Sequence, residues 1–146
     1  MSADYPSMTT AEIRSKFLNF FEERGLKLYP SSSLVPDDPS LLLANAGMNQ
    51  FKEYYQGKKT MKEIGAISCQ KCVRTNDIDC IGEDGRHLSF FEMLGDFSFG
   101  GVSKQQACAW AFELITKEFK LPLDRLYFTV FTEDDETHDV WRSLGV

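Results

Sequence analysis

A chain of 146 residues, 42% hydrophobic and 13% aromatic, is long enough to build one domain with a real core. Its formal net charge of -6 argues against non-specific nucleic-acid binding, which rests on Lys and Arg neutralising phosphates, but leaves room for small anions in a locally basic pocket. No apolar run reaches the roughly 18 residues of a membrane span, and four cysteines with no secretory leader ahead of them read as reduced thiols of a cytoplasmic protein.

Residues 1–8 read as a flexible lead-in. Thr9 and Glu12 fit a capping box, in which each side chain satisfies an N–H group at a helix start. A helix is expected from about Thr10 to Arg24, with Ile13, Phe17, Phe20 and Phe21 as its apolar stripe and Gly25 as its stop. Leu26–Tyr29 is a short strand candidate, broken by Pro30 and the serines at 31–33. A turn at Asp37-Asp38-Pro39-Ser40 precedes Leu41–Ala44, which reads as a buried strand. Met48–Tyr55 reads as a short helix ending near Gly57, and the polar stretch 58–65 follows it.

A hairpin comes next. Its first strand spans about Ile67–Arg74, its loop 75–87 and its second strand Leu88–Phe97. Gly100-Gly101 makes a turn. Ser103 is placed to cap a helix from Lys104 to about Phe119, with Ala107, Trp110, Ala111, Leu114 and Ile115 on the inner face and Cys108 beside them. Leu126–Phe131 reads as a strand, rich in aromatic and β-branched residues. Asp134 to Trp141 is the last helix. Hairpin-linked strands with helices around them predict an α+β fold on an antiparallel sheet flanked by helices.

The hairpin carries the candidate chemistry. Arg74, at a strand end, can present its planar fork to a phosphate or carboxylate; it equally fits an ordinary surface arginine. Arg86 and His87 precede Phe91, and on a continuous strand His87 and Phe91 share one face, offering charge beside a ring for a base. A core phenylalanine beside a satisfied histidine fits the same pattern. Phe90 and Phe91 point to opposite faces, so one is expected in the core and the other is free to act as a platform. Asp77, Asp79, Glu83 and Asp84 crowd the loop, where they can assist Mg²⁺ beside a triphosphate or simply be solvated. Cys69-x-x-Cys72 has zinc-knuckle spacing with Cys80 and His87 nearby, but the pair falls inside a strand and no second CxxC exists, so zinc is not expected. Neither GxxxxGK[ST] nor GxGxxG occurs, which excludes a nucleotide site of either glycine-loop kind.

Four strings are more specific: TAEIRSKFLNFF, SSSLVPDDPSLLLANAGMNQFK, QKCVRTNDID and RHLSFFEMLGDFSFG. On them the chain resembles the N-terminal part of the catalytic domain of the alanyl-tRNA synthetases, which are class II aminoacyl-tRNA synthetases. The likeness runs over about residues 9 to 131 and implies one partial catalytic domain over 9–146. It assigns the stretch up to Pro36 to motif 1 and the hairpin to motif 2. By this match Arg74 is the catalytic arginine, bound to the α-phosphate of ATP and the alanine carbonyl. Phe91 stacks under adenine, His87 and Arg86 face the β- and γ-phosphates, and Met93 lines the adenine and alanine pocket. Asn76 and Asp77 match a loop pair near the nucleotide or the tRNA 3′ end.

The reaction so implied is ATP-dependent activation of L-alanine to alanyl-adenylate with Mg²⁺ assisting, then transfer to tRNA(Ala). Three departures stand out. Leu88 replaces a second histidine, the loop lacks an AGGKH segment, and FSFGGVSK replaces FSFGDYFK. Motif 3 has no counterpart in these residues, so the chain alone is expected to show little adenylate formation. A free-standing module that binds ATP or the adenylate without turnover is the alternative reading. The oligomeric state is left open.

Overall fold

The computed structural model describes residues 7–75 and 78–146. Most of the lead-in and the Asn76–Asp77 pair therefore lie outside the described residues. The chain divides into two compact units, Phe21–Gly101 and Met1–Phe20 with Val102–Val146. The described elements are mixed α and β, as expected.

The Phe21–Gly101 unit is built on a three-stranded sheet in the order β1-β2-β3, with β1 at Lys27–Leu28, β2 at Gly65–Val73 and β3 at Phe90–Ser98. The predicted hairpin is present: β2 and β3 are antiparallel, from Gly65 opposite Ser98 to Val73 opposite Phe90. Pairing continues one step further, where the Arg74 N–H donates to the Ser89 carbonyl at 3.1 Å. The sheet is antiparallel between β2 and β3 as expected, whereas β1 runs parallel to β2, with Lys27 opposite Ala66. A long connection separates these strands in sequence, and only a long connection allows a parallel neighbour.

Alternation sorts the hairpin residues onto two faces. Ala66, Ser68, Gln70 and Cys72 share one face with their cross-strand partners Phe97, Gly95, Met93 and Phe91. A 3-10 turn at Gly47–Phe51, running into the short helix α2 at Lys52–Tyr55, packs on this face. Phe51 is the central plug, 1% exposed, with its ring 4.8 Å from Phe97, 5.3 Å from Tyr29 and 6.0 Å from Phe99. Gly95 makes this packing possible: a Cβ there would lie 2.6 Å from the Phe97 ring. Of the other expected strand, Leu41–Ala44, only Ala44 is buried, while Leu42 is 83% exposed. Its backbone runs as a loop whose N–H at Ala44 donates to Leu34 and whose carbonyl at Ala44 accepts from Val73. An apolar run becomes a strand only where an extended ladder is available, and here one residue reaches it.

α1 spans Thr10–Glu22, and its residues up to Phe20 belong to the other unit. Its capping box is formed: the Thr9 N–H donates to Glu12 Oε2 at 2.7 Å, and the Glu12 N–H to Thr9 Oγ1 at 3.3 Å. Gly25 follows with φ +86°, the left-handed conformation that suits glycine. α3 covers Lys104–Glu113, capped by Ser103 Oγ, which accepts from the Gln106 N–H at 3.1 Å. The helix then widens into a π turn at Leu114–Glu118. Its buried centre is Cys108 and Leu114; the predicted inner residue Ala107 is exposed. The expected strand Leu126–Phe131 is also corrected. The segment is irregular, with Tyr127 94% and Phe131 71% exposed, and no strand pairs with it among the described residues. α4 covers Asp135–Ser143, with Asp134 Oδ1 accepting from the Thr137 N–H at 3.0 Å. Phe128 joins the helices, 6.0 Å from Phe112 and 4.8 Å from Trp141.

Two outcomes follow from this packing. Phe51→Ala leaves a cavity in the Phe21–Gly101 unit and should cost about 3–5 kcal/mol in urea denaturation; a loss below about 1 kcal/mol would contradict its central place. The Thr137 N–H and hydroxyl and Lys104 together hold the Asp134 carboxyl down at about 2. Its folded value lies below the ordinary carboxylate value of about 3.9. The stability it contributes is therefore full above pH ~4 and lost as pH falls through about 2. Acid unfolding of Asp134→Ala should show less pH dependence than the parent chain in that window.

Candidate nucleotide site

The end of the hairpin gathers the charged and aromatic groups. Arg74 leaves β2 on the Phe91 face, and its guanidinium carbon lies 5.3 Å from the centre of the Phe91 ring. That is within cation–π reach. Its Nε–H donates to the Asn45 carbonyl at 3.1 Å. The side chain is exposed, so its other N–H groups face solvent at a defined place above the ring. Arg74 therefore has a defined position, which fits both a presented fork and an ordinary surface arginine.

Phe91 sits opposite Cys72 and is half-buried. Met93, two residues on and on the same face, lies opposite Gln70, and its sulfur accepts the Gly47 N–H at 3.3 Å. Arg74, Phe91 and Met93 thus form one surface: a cation, a ring and a thioether, floored by the sheet. One of Phe90 and Phe91 is expected in the core, yet neither is fully buried. Phe90 is 51% exposed on the other face.

Arg86 and His87 are positioned differently from expectation. β3 begins only at Phe90, so period-2 alternation does not place His87 beside Phe91. A turn holds the pair instead. Asp84 Oδ1 accepts the N–H of Arg86 at 2.8 Å and of His87 at 3.0 Å, while its Oδ2 lies 2.7 Å from His87 Nδ1. Those backbone N–H groups are the main reason the Asp84 carboxyl titrates at about 2. At least one of the loop acids therefore has a structural role, since Asp84 clamps the two basic residues together.

The cysteines are separated by the same alternation. Cys69 and Cys72 lie on opposite faces of β2, which does not suit a shared metal ion. Burial pushes the Cys72 thiol up, and the Arg74 charge offsets this only in part. A thiol so raised is a poor nucleophile. No disulfide joins any of the four cysteines.

Three contributors escaped the sequence reading: Asn45, Gly47 and Gln70. Gln70 is fully buried and joins the 3-10 turn to the sheet. Period-2 reading of AISCQKCV puts Gln70 on the face of Ala66 and Cys72, and Asn45 and Gly47 lie within the string SSSLVPDDPSLLLANAGMNQFK, in a part of it with no assigned role. Those two patterns were the signals that could have found them.

The Asp84 clamp can be checked directly. The amide proton shifts of Arg86 and His87 should titrate at about 2 in the parent chain, and that titration should vanish in Asp84→Ala. Persistence in the variant would show that another acid holds the turn.

Comparison with known proteins places this geometry. The family model described as tRNA synthetases class II (A) matches residues 12–146. An alanine–tRNA ligase of chloroplasts and mitochondria from Sorghum bicolor is 53% identical over 135 residues, 92% of this chain and 14% of that protein. The alanine–tRNA ligase of Synechocystis sp. is 51% identical over the whole chain and 17% of its own length, and that of Fervidobacterium nodosum is 50% identical over 95% of the chain and 16% of its own length. The chain thus spans about one-sixth of the curated relatives it matches. At this identity, over this length, with the hairpin and its arginine–phenylalanine pair in place, the chain belongs to the class II tRNA synthetases.

Proposed function

We propose that this chain supplies the ATP-holding face of an alanine–tRNA ligase. The carrying observation is the Arg74 guanidinium held over the Phe91 ring on one face of the hairpin, in a chain about half identical to alanine–tRNA ligases.

In this reading the substrates are L-alanine and MgATP, and the acceptor is tRNA(Ala). An alanine carboxylate oxygen attacks the α-phosphorus, the bond to the bridging oxygen of the β-phosphate breaks, and pyrophosphate leaves alanyl-adenylate behind. No protein nucleophile is needed. What the protein supplies is position and charge. Phe91 offers adenine a stacking face. Arg74, anchored through Nε by the Asn45 carbonyl, keeps its terminal N–H groups for the α-phosphate and the alanine carbonyl, where negative charge builds up in the transition state. A base stacking on Phe91 takes the place of the guanidinium there and directs it to the phosphate. Arg86 and His87, clamped by Asp84, are the candidates for the β- and γ-phosphates. Met93 borders the base. Asn76 and Asp77 remain proposals for loop contacts. Mg²⁺ is read as arriving on the phosphates, since that ion is commonly held through one or two carboxylates together with substrate phosphates.

Residues 9–146 are proposed as one stretch of the catalytic domain carrying motifs 1 and 2. No helix among the described residues is long and apolar enough to cross a membrane. A cytoplasmic site of action accords with substrates that meet there.

Calorimetric titration with ATP and with a non-hydrolysable alanyl-adenylate analogue tests the reading. Arg74→Ala should weaken binding about tenfold or more, the loss expected when a hydrogen bond to a charged group is removed. The melting temperature should stay close to that of the parent chain, since the side chain is exposed. Unchanged affinity would reject the role.

A further inference from the structure

The Arg74 face does not stand alone. Its flank is the segment 44–51, which touches both working side chains through its backbone. The Asn45 carbonyl accepts from Arg74 Nε at 3.1 Å, and the Gly47 N–H donates to Met93 Sδ at 3.3 Å. The same segment contains Gln50, whose Nε2 donates to the side-chain oxygen of Gln70 at 3.0 Å. Gln70 is wholly buried and sits four residues before Arg74 on the same face of β2, opposite Met93.

We infer that Gln70 is a positioning residue of the nucleotide site, acting on Arg74 and Met93 through Gln50 and the 44–51 segment. The inference rests on the proposed nucleotide site and goes beyond it in naming what sets the site's geometry. The chemistry of the amide suits this role. Its oxygen accepts from the Ser32 N–H at 2.9 Å and the Ser32 hydroxyl at 3.1 Å as well as from Gln50. Its nitrogen donates to the carbonyls of Ser32 at 3.2 Å and Lys71 at 2.8 Å. Both donor hydrogens are used. A planar group with donors and acceptors on fixed sides sets both the distance and the angle of what binds it. A hydrophobe of equal volume would fill the space without fixing either segment. Gln50 adds a second tether, its Nε2 reaching the Pro30 carbonyl at 3.3 Å. The 3-10 turn is thus pinned in its C-terminal half by an amide pair, while Gly47 at its start and Asn45, two residues ahead of it, reach the site.

Nuclear magnetic resonance of the 146-residue chain reads the effect without requiring turnover. The probes are the Arg74 Hε signal and the Met93 methyl signal. Gln50→Met keeps Gln70 bonded to Ser32 while cutting its link to the turn. In this variant the Arg74 Hε signal should move towards the shift of a solvent-exposed arginine and the Met93 methyl signal should change. Amide shifts at the far end of the hairpin, near Gly65 and Ser98, should hold. Gln70→Met should produce the same changes and a lower melting temperature. Should Gln70→Met fail to fold, Gln50→Met decides alone. Unmoved Arg74 and Met93 signals in Gln50→Met would overturn the proposal, because a merely structural glutamine predicts lower stability with the site unchanged. ATP is then added to the parent chain. A shift of the Arg74 Hε signal supports the nucleotide reading; no shift at millimolar ATP rejects that reading and leaves the positioning result to be judged on its own signals. In ATP titration, Gln50→Met should weaken binding several-fold and add nothing in an Arg74→Ala background. Additive losses would contradict transmission through Arg74.

Discussion

A single buried amide carries much of the order in the sheet-containing unit. Gln70 is a polar side chain with no exposure on β2, where Ser68 is the other buried polar residue among those described. Burying it without partners would cost about 1–3 kcal/mol for each unmet group. The chain avoids this by bringing Ser32 and Gln50 to it from two separate loops. Each loop is thereby fixed against the sheet at a point where neither helix nor strand holds it. The loop around Ser32 has no regular structure, and the turn at Gly47–Phe51 is too short to be stable alone. Their order comes from the amide and from Phe51, which fills the adjoining space against Phe97 and Tyr29.

That arrangement explains why the candidate site lies at the end of the hairpin. The face shared by β2 and β3 is covered along most of its length, by Phe51 near Phe97 and Gly95 and by Gln50 at Gln70. Cover gives way beyond Met93, where Phe91 is half-buried and Arg74 exposed. An aromatic face and a cation emerge together from a rigid two-stranded ladder, with a backbone carbonyl from the covering loop to aim the cation. Charge stabilisation at a reacting phosphate depends on such prior placement, because groups that need not reorganise lose nothing as charge develops. The basic pair at 86–87 is held in a turn set by Asp84. Its orientation is a matter of local turn chemistry, and that of Arg74 a matter of tertiary structure.

Local chemistry was well written in the sequence. The capping box at Thr9 and Glu12, the cap at Ser103 and the stop at Gly25 all appear where short-range rules place them. The hairpin was readable because β2 and β3 are each other's partners. What depended on a distant partner was misread. Leu41–Ala44 and Leu126–Phe131 have the composition of strands but no ladder along their length. β1 was found, yet its parallel pairing was not, since composition says nothing of direction. At the site, Arg74 could not be told from a surface arginine by spacing, because the ring beneath it belongs to the other strand. The resemblance to a known family implied roles for Arg74 and Phe91, and the structure added Asn45, which acts through its backbone carbonyl, and Gln70, whose burial only the alternation of β2 hints at.

The central claim is that the ring of Phe91 and the guanidinium of Arg74 receive a nucleotide. The most direct measurement is the nuclear Overhauser contact between bound ATP and the chain. Adenine H2 and H8 should show contacts to the Phe91 ring protons and the Met93 methyl group. Contacts confined instead to the open cleft of about 480 Å³ lined by Asp38, Lys52, Glu53 and Lys58, or no contact at Phe91 with ATP bound, would contradict the account.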